Sequence, residues 1–269
     1  MNNWVYLNGK FVRKEEALMP IDTTGALRAY GIFDFLRIRN GKPTFLEDHL
    51  NRFDRSQKFL ELSKLISKEE IRNAVHELQK LNNWQDSSLK FVLMGQGDEG
   101  SPVYDPFFYI LHDEVKGKTQ KSAKVITYEY RREFHQIKSL NYFLTFSLTR
   151  RKALNKAVEV LFHLDDKVTE ASRSNIFVIK DGVLQTPKSG VLAGVTRMHV
   201  MKIAEDIMPV KEDDFSLSTL LSADEVFVTS SVKEVLPIVK VDDNTIGGGK
   251  PGELTLKLRG LFTEYIHSS

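Results

Sequence analysis

The sequence contains no cysteine. Disulfides, thiolate nucleophiles and cysteine-ligated metals are therefore excluded, and the chain suits a reducing compartment. Net charge is nearly absent as well, with 38 Lys and Arg against 36 Asp and Glu, a formal +2. That balance offers no dedicated surface for nucleic acid or an acidic membrane, and pairs such as Arg131-Arg132 and Arg150-Arg151 read as solvated helix or loop positions. No apolar run approaches the length of a membrane span, and the start, Met1-Asn2-Asn3-Trp4, lacks the charged and apolar regions of a secretory signal. Internal repeats and low-complexity tracts are missing too. What is present is an ordinary globular balance, 41% hydrophobic and 28% charged over 269 residues, enough for one large domain or two of ordinary size. A cytoplasmic enzyme or binding protein is the expectation.

Trp4 to Val12 reads as a hairpin around Asn8-Gly9, and Ile32 to Arg39 as a strand followed by an Asn40-Gly41-Lys42-Pro43 turn, with Thr44-Phe45 beginning the return. From Leu46 the period becomes helical. Leu46, Leu50, Phe53 and Leu60 share one stripe, and His49, Arg52 and Ser56 an adjacent one. Ser67-Lys68-Glu69-Glu70 has capping-box spacing ahead of a helix whose buried stripe is Ile71, Val75, Leu78 and Leu81. Leu89–Met94, Phe107–Leu111 and Lys124–Tyr128 read as strands, and the polar, lysine-rich stretch from Asp113 to Ser122 as a linker. The second half alternates. A helix is expected over Leu140–Lys156, strands at Val158–Phe162, Asn175–Ile179, Glu225–Thr229 and Ile238–Val241, and helices over Thr196–Ile207 and Glu253–Tyr265.

Several segments have the chemistry of a site. Gly190 to Arg197 runs from a glycine-containing loop into a helix, a junction that either binds an anion on its first-turn amides or is simply a turn and a Thr196 cap. Thr229-Ser230-Ser231 follows a strand, where hydroxyls and amides accept further anion oxygens. Arg52 is either a forked donor to such an anion or a surface partner of Glu47 or Asp48. His49 reads as a structural hydrogen-bonding residue, because no second histidine stands at ligand spacing, and no metal is expected. Lys138 lies between apolar Ile137 and Leu140, surroundings that partly desolvate its amine and favour a nucleophile towards a carbonyl. Glu170, in a polar cluster with Ser172, Ser174 and Asn175, is either a partner for a heteroaromatic nitrogen or a strand-edge charge.

Taken together and in order, these segments resemble the class IV aminotransferases, which include branched-chain and D-amino acid aminotransferases and 4-amino-4-deoxychorismate lyase. The resemblance is carried by Leu7-Asn8-Gly9 with Phe11-Val12, Gly31-Ile32-Phe33-Asp34, His49-Leu50-Asn51-Arg52 with Ser56, and Lys138-Ser139-Leu140-Asn141. It continues through Val168-Thr169-Glu170, Ser174-Asn175-Ile176-Phe177, Thr186-Pro187, Leu192 to Arg197, and Asp224 to Ser231.

The resemblance implies an α/β (α+β) fold of two domains, the D-amino acid aminotransferase-like fold (PLP fold type IV), with pyridoxal 5′-phosphate in the interdomain cleft. The corresponding division is 1–115, a linker at 116–122, and a cofactor-binding domain at 123–269. It implies that Lys138 carries the cofactor as a Schiff base and shuttles the proton, and that Glu170 pairs with the pyridine nitrogen. Arg52, the amides of Val195 and Thr196, and Ser230 with Ser231 would bind the phosphate. The implied activity is amino-group transfer between an amino acid and a 2-oxo acid, in a homodimer. The alternative is the lyase, which releases pyruvate to give 4-aminobenzoate. Asp34 stands where the family commonly has glutamate, and Met94-Gly95-Gln96-Gly97 where many members have Thr-Arg-Gly. For the substrate, Tyr30, Lys90 and Arg173 are the candidates.

Overall fold

Asn8 and Gly9 take φ of 45° and 88° and turn Trp4–Leu7 (β1) back on Lys10–Arg13 (β2), the geometry that a tight hairpin between right-twisted strands requires. The structure, a computed structural model, describes residues 3–98, 100–101, 103–115 and 120–268. Contacts divide it into two units: Met1–Gly117 with Ile137–Asn141, and Lys118–Gln136 with Tyr142–Ser269. Of the expected linker, residues 116–119 lie outside the described residues.

The first unit is a six-stranded antiparallel sheet in the order β2-β1-β6-β5-β3-β4, where β3 is Gly31–Arg39, β4 Lys42–Pro43, β5 Ser87–Gln96 and β6 Asp105–Glu114. Its helices are Thr24–Arg28 (α1), Leu46–Gln57 (α2) and Lys68–Asn82 (α3). Alternation along the strands turns Ile32, Leu36, Leu89, Phe91 and Ile110 into one core with Leu50 and Phe53 of α2 and Val75 and Leu78 of α3. Ser67 caps α3 by accepting the Glu70 amide at 3.1 Å, as its spacing predicts. The return begins earlier than expected, on Lys42-Pro43, residues read as part of the turn, and Thr44-Phe45 are outside it. Phe45, at φ 55°, already turns the chain into α2.

The second unit holds a nine-stranded mixed sheet. Its strands are Ala123–Glu129 (β7), Glu159–Leu164 (β8), Lys167–Ala171 (β9), Asn175–Lys180 (β10), Val183–Thr186 (β11), Val210–Glu212 (β12), Glu225–Ser230 (β13), Glu234–Val241 (β14) and Asn244–Thr245 (β15). The order is β12-β11-β10-β13-β14-β7-β8-β9, with β15 on β14. An isolated bridge between Ala171 and Ser174 ties β9, at one edge, to the start of β10, so the sheet curls on itself. Helices are Phe143–Ser147 (α4), Thr149–Leu154 (α5), Val195–Ala204 (α6), Leu217–Leu221 (α7) and Glu253–Ser268 (α8). Among the described residues no helix is long and apolar enough to cross a membrane.

The single helix expected over Leu140–Lys156 is instead two short ones that meet at Leu148, with Leu140 outside both. The Leu140 amide donates to the Gly31 carbonyl at 2.9 Å and Ser139 bridges Ile32, so this stretch is extended and belongs to the first unit. Ile137 is buried in that unit's core.

One buried polar group gives the first unit a pH signature. His112 is fully buried; Asn82 Nδ2 lies 2.8 Å from its Nδ1 and Ser87 Oγ 2.8 Å from its Nε2, which fits the neutral ring with the proton on Nε2. Burial pushes its pKa down from 6.5 to about 4, against weaker opposing pulls from the Leu78 backbone and Asp113. Because the unfolded chain takes up this proton first, the stability is intact above about pH 6.5. It declines by roughly 3 kcal/mol as pH falls to about 4. Thermal melts between pH 7 and 4 should show this decline, flattened in His112→Gln. An unchanged slope in that variant would contradict the assignment.

Candidate functional site

Strand β3 separates two chemically different faces. Alternation sends Asp34 to the same side as Ile32, Leu36 and Ile38, towards α2, where it is fully buried. The polar stripe of α2 meets it there. Arg52 Nε donates to Asp34 Oδ2 at 2.9 Å and Nη2 to Oδ1 at 2.7 Å, a bidentate fork, while His49 Nδ1 lies 2.7 Å from Oδ1. Burial works against the Asp34 charge, but Arg52 and His49 override it and hold the carboxyl well below the usual carboxylate range. His49 is shifted down, by burial first and then by Arg52 and the Lys138 amine, against the pull of Asp34. A neutral His49 therefore donates Nδ1–H to the carboxylate. Arg52 is buried against Asp34 rather than lying at the surface, and Glu47 is held by Arg72 at 2.8 Å.

The opposite face of β3 carries Phe33. The Phe33 amide donates to the Lys138 carbonyl at 2.8 Å, which fixes the backbone of Lys138 against the strand. The half-buried amine then lies 4.6 Å from the Phe33 ring centroid. Among the described residues it has no hydrogen-bond or ion-pair partner. Lys90 stands directly across from Phe35 on β5, so its exposed amine projects from the face that carries Phe33 and the Lys138 amine. Tyr30 is placed differently: its hydroxyl accepts the Glu61 amide at 3.0 Å and its ring leans on Tyr104.

In the second unit, Glu170 on β9 is 4% exposed and both of its oxygens are engaged. Arg132 Nε donates to Oε1 at 2.7 Å and the Leu192 amide to Oε2 at 2.9 Å. Arg132 is itself shielded, so the expectation of a solvated Arg131-Arg132 pair is corrected for Arg132. Its Nη2 reaches the Ser172 carbonyl at 3.0 Å, and its guanidinium lies 5.0 Å from the Tyr142 ring. Burial opposes its charge, but Glu170 and the neighbouring tyrosines more than offset that, and its pKa rises.

Leu192 leads into the helix junction. Asn175 Nδ2 donates to the Leu192 carbonyl at 2.8 Å, and its Oδ1 lies 2.0 Å from where a Cβ on Gly194 would stand, so the N-cap of α6 must be glycine. Beyond it the amides of Val195 and Thr196 open the first turn, where no intrahelical acceptor exists. Asn175 pairs in register with Thr229 of β13, the strand against which α6 packs. The Thr229 hydroxyl is buried and has no hydrogen-bond partner among the described residues. Ser230 Oγ accepts the Lys233 amide at 3.1 Å. Arg197 is buried in a structural role, donating to Thr186 Oγ1 and the Pro187 carbonyl. Unlike these, Arg173 is exposed and stacks 5.2 Å from the Phe146 ring.

The first unit thus gathers Asp34, His49 and Arg52 on one side of β3 and Lys138 with Lys90 on the other. The second gathers Glu170, the start of α6 and the Thr229–Ser230 strand end. Two participants carried no signal that sequence reasoning used: Arg132, in a charged, helix-like context, and Asp34 as the anchor of Arg52. For Asp34 the signal existed, since a lone carboxylate at the inward positions of an otherwise apolar strand demands a buried cation.

Residues 31–241 match the family described as Amino-transferase class IV. The D-alanine aminotransferase of Staphylococcus haemolyticus is 32% identical over 285 residues, spanning 98% of this chain and 98% of that protein. That of Staphylococcus epidermidis is 33% identical over 278 residues, with the same coverage. The branched-chain amino acid aminotransferase of Thermobaculum terrenum, solved in its PLP form, shares the fold: it superposes at a TM-score of 0.90 and 22% identity, covering 100% of this chain and 95% of that one. The chain belongs to the class IV aminotransferase family. It is an enzyme with that family's α/β fold.

Asp34→Ala would remove the carboxylate that both arms of the buried Arg52 fork hold, and should cost about 3–5 kcal/mol in urea unfolding. A loss under about 1 kcal/mol, the range of an exposed ion pair, would show that the fork is not buried in solution.

Proposed function

We propose that this enzyme transfers an amino group between an amino acid and a 2-oxo acid, with Lys138 as the residue that binds pyridoxal phosphate covalently. The relatives named as aminotransferases favour transfer over pyruvate release. The observation that carries the assignment is the Lys138 amine: half-buried over Phe33, fixed through its backbone to β3, and, among the described residues, uncommitted to any carboxylate. A lysine tied into a salt bridge would be a poor nucleophile; this one is positioned and available.

The donors of the second unit fit the cofactor. The first-turn amides of Val195 and Thr196 and the orphaned Thr229 hydroxyl are what a phosphate needs, and Glu170 offers a buried anion to a ring nitrogen. When bound, pyridoxal phosphate supplies an electron sink for the electrons left at the substrate α-carbon. In this reading Glu170 would hold the ring nitrogen protonated, and Lys138 Nζ would move the proton between the substrate α-carbon and the cofactor's C4′. The α6 amides, Ser230 and Ser231 hold the phosphate, and Arg52, locked by Asp34, adds a fixed positive charge. Lys90, whose amine shares a sheet face with Lys138, is the better placed of the three substrate candidates for the substrate carboxylate. Tyr30 is committed to Glu61 and Arg173 to Phe146.

Borohydride treatment of the yellow holoprotein should fix the cofactor on the peptide containing Lys138, read by mass spectrometry. Lys138→Ala should lose that label, and activity by roughly 10³-fold or more. A label on another lysine would overturn the assignment. A panel of D-alanine and branched-chain donors, with and without an oxo acid, then reads the enantiomer and distinguishes transfer from pyruvate release.

We also infer a cytoplasmic homodimer. The absence of cysteine suits the compartment. Large exposed apolar side chains in each unit, Leu18 (78%) and Ile21 (84%) in the first and Phe143 (82%) in the second, suit burial against a second copy. Light scattering at micromolar concentration should give twice the chain mass; a single chain mass would contradict this.

A further inference from the structure

Glu170 has two bonds inside the second unit, and they differ in kind. The Leu192 amide is a neutral donor that orients Oε2, whereas Arg132 brings a full positive charge to Oε1 at 2.7 Å. The guanidinium has little freedom to leave. Nε is committed to Glu170 and Nη2 to the Ser172 carbonyl, and its plane is flanked by Tyr142 at 5.0 Å and Phe162 at 6.0 Å. A lysine there would supply a point charge without the fork.

Ser172 extends this arrangement. Its hydroxyl donates to Glu159, a fully buried carboxylate that also receives Ser174 Oγ at 3.1 Å and Lys233 Nζ at 2.6 Å. The Lys233 amide in turn donates to Ser230 Oγ. Two buried ion pairs, Arg132–Glu170 and Lys233–Glu159, are thus joined through one serine, and the chain of bonds ends at the turn assigned above to the phosphate.

We infer that Arg132 is a positioning residue for the reaction: it keeps Glu170 as an aimed carboxylate, so that the acid facing the cofactor's ring nitrogen does not take up a proton itself. The inference rests on the reading of Glu170 as the ring-nitrogen partner. The charged and titratable groups around Glu170 are Arg132, Tyr130 and Tyr142 beside that guanidinium, Arg131 against the Gly190 loop, and Glu159 with Lys233 behind Ser172. Of the cations among the described residues, Arg132 is the one bonded to Glu170. Without it, a carboxylate only 4% exposed is left with burial and a neutral amide, and its neutral form gains ground as pH falls.

The test is the pH profile of kcat and of the bound cofactor's absorbance in Arg132→Gln and Arg132→Lys. In Arg132→Gln the acid limb of both should move up by about 1–3 pH units, the range an adjacent opposite charge commands, with kcat falling more than KM changes. Arg132→Lys should move it less. Cofactor affinity of the apoprotein, read by tryptophan quenching, should weaken in the same order. An acid limb and spectrum in Arg132→Gln indistinguishable from the parent would overturn the inference. If Arg132→Gln does not fold, Arg132→Lys carries the same test, and a parental profile there overturns it equally. Borohydride labelling of Lys138 is scored alongside. Loss of the label in the parent protein defeats the cofactor reading itself, whereas a labelled parent with unmoved limbs in the variants defeats only the role of Arg132.

Discussion

A charge taken out of water must be answered by an opposite charge, and that requirement shapes both units. The first unit buries Asp34 and meets it with the forked guanidinium of Arg52; the second buries Glu170, met by Arg132 Nε, and Glu159, met by Lys233. Buried pairs of this kind usually add little stability relative to apolar packing, because desolvation consumes most of the Coulombic gain. Their value lies in placement. Two parallel N–H donors fix a carboxylate in position and plane, which a hydrophobic contact cannot do.

Strand alternation turns that placement into a division of labour in the first unit. On one face of β3 a guanidinium and a neutral imidazole both donate to one carboxylate; on the other an amine sits over an aromatic ring and, among the described residues, has no carboxylate to bind it. Had Lys138 lain one residue to either side, the same backbone pairing would have turned its side chain the other way. Extended pairing of Lys138–Leu140 with β3 is therefore what keeps a nucleophile available, and it is also why Ile137–Asn141 groups with the first unit.

Much of this was legible in the sequence. The Asn8-Gly9 hairpin, the α2 stripe that brings His49 and Arg52 together, the Ser67 cap and most strands follow from periodicity and turn chemistry. The continuous helix over Leu140–Lys156 does not exist, because apolar spacing does not register that Leu140 is held by the Gly31 carbonyl, more than a hundred residues earlier. Strands β9 and β11 are short and carry polar residues, so their local pattern is weak; β9 holds Glu170 nonetheless. Arg132 was unreadable for a related reason. Nothing local distinguishes it from Arg131, and only the tertiary approach of Glu170, 38 residues away, makes one of the pair a buried ion-pair partner.

A crystal structure of the protein grown with pyridoxal phosphate tests the account most directly. It should show density continuous from Lys138 Nζ to the cofactor, with the ring nitrogen within about 3 Å of the Glu170 carboxylate while Arg132 Nε keeps its bond to that carboxylate. A cofactor joined to a different amine, or one whose ring nitrogen faces water while Glu170 binds Arg132 alone, would contradict it.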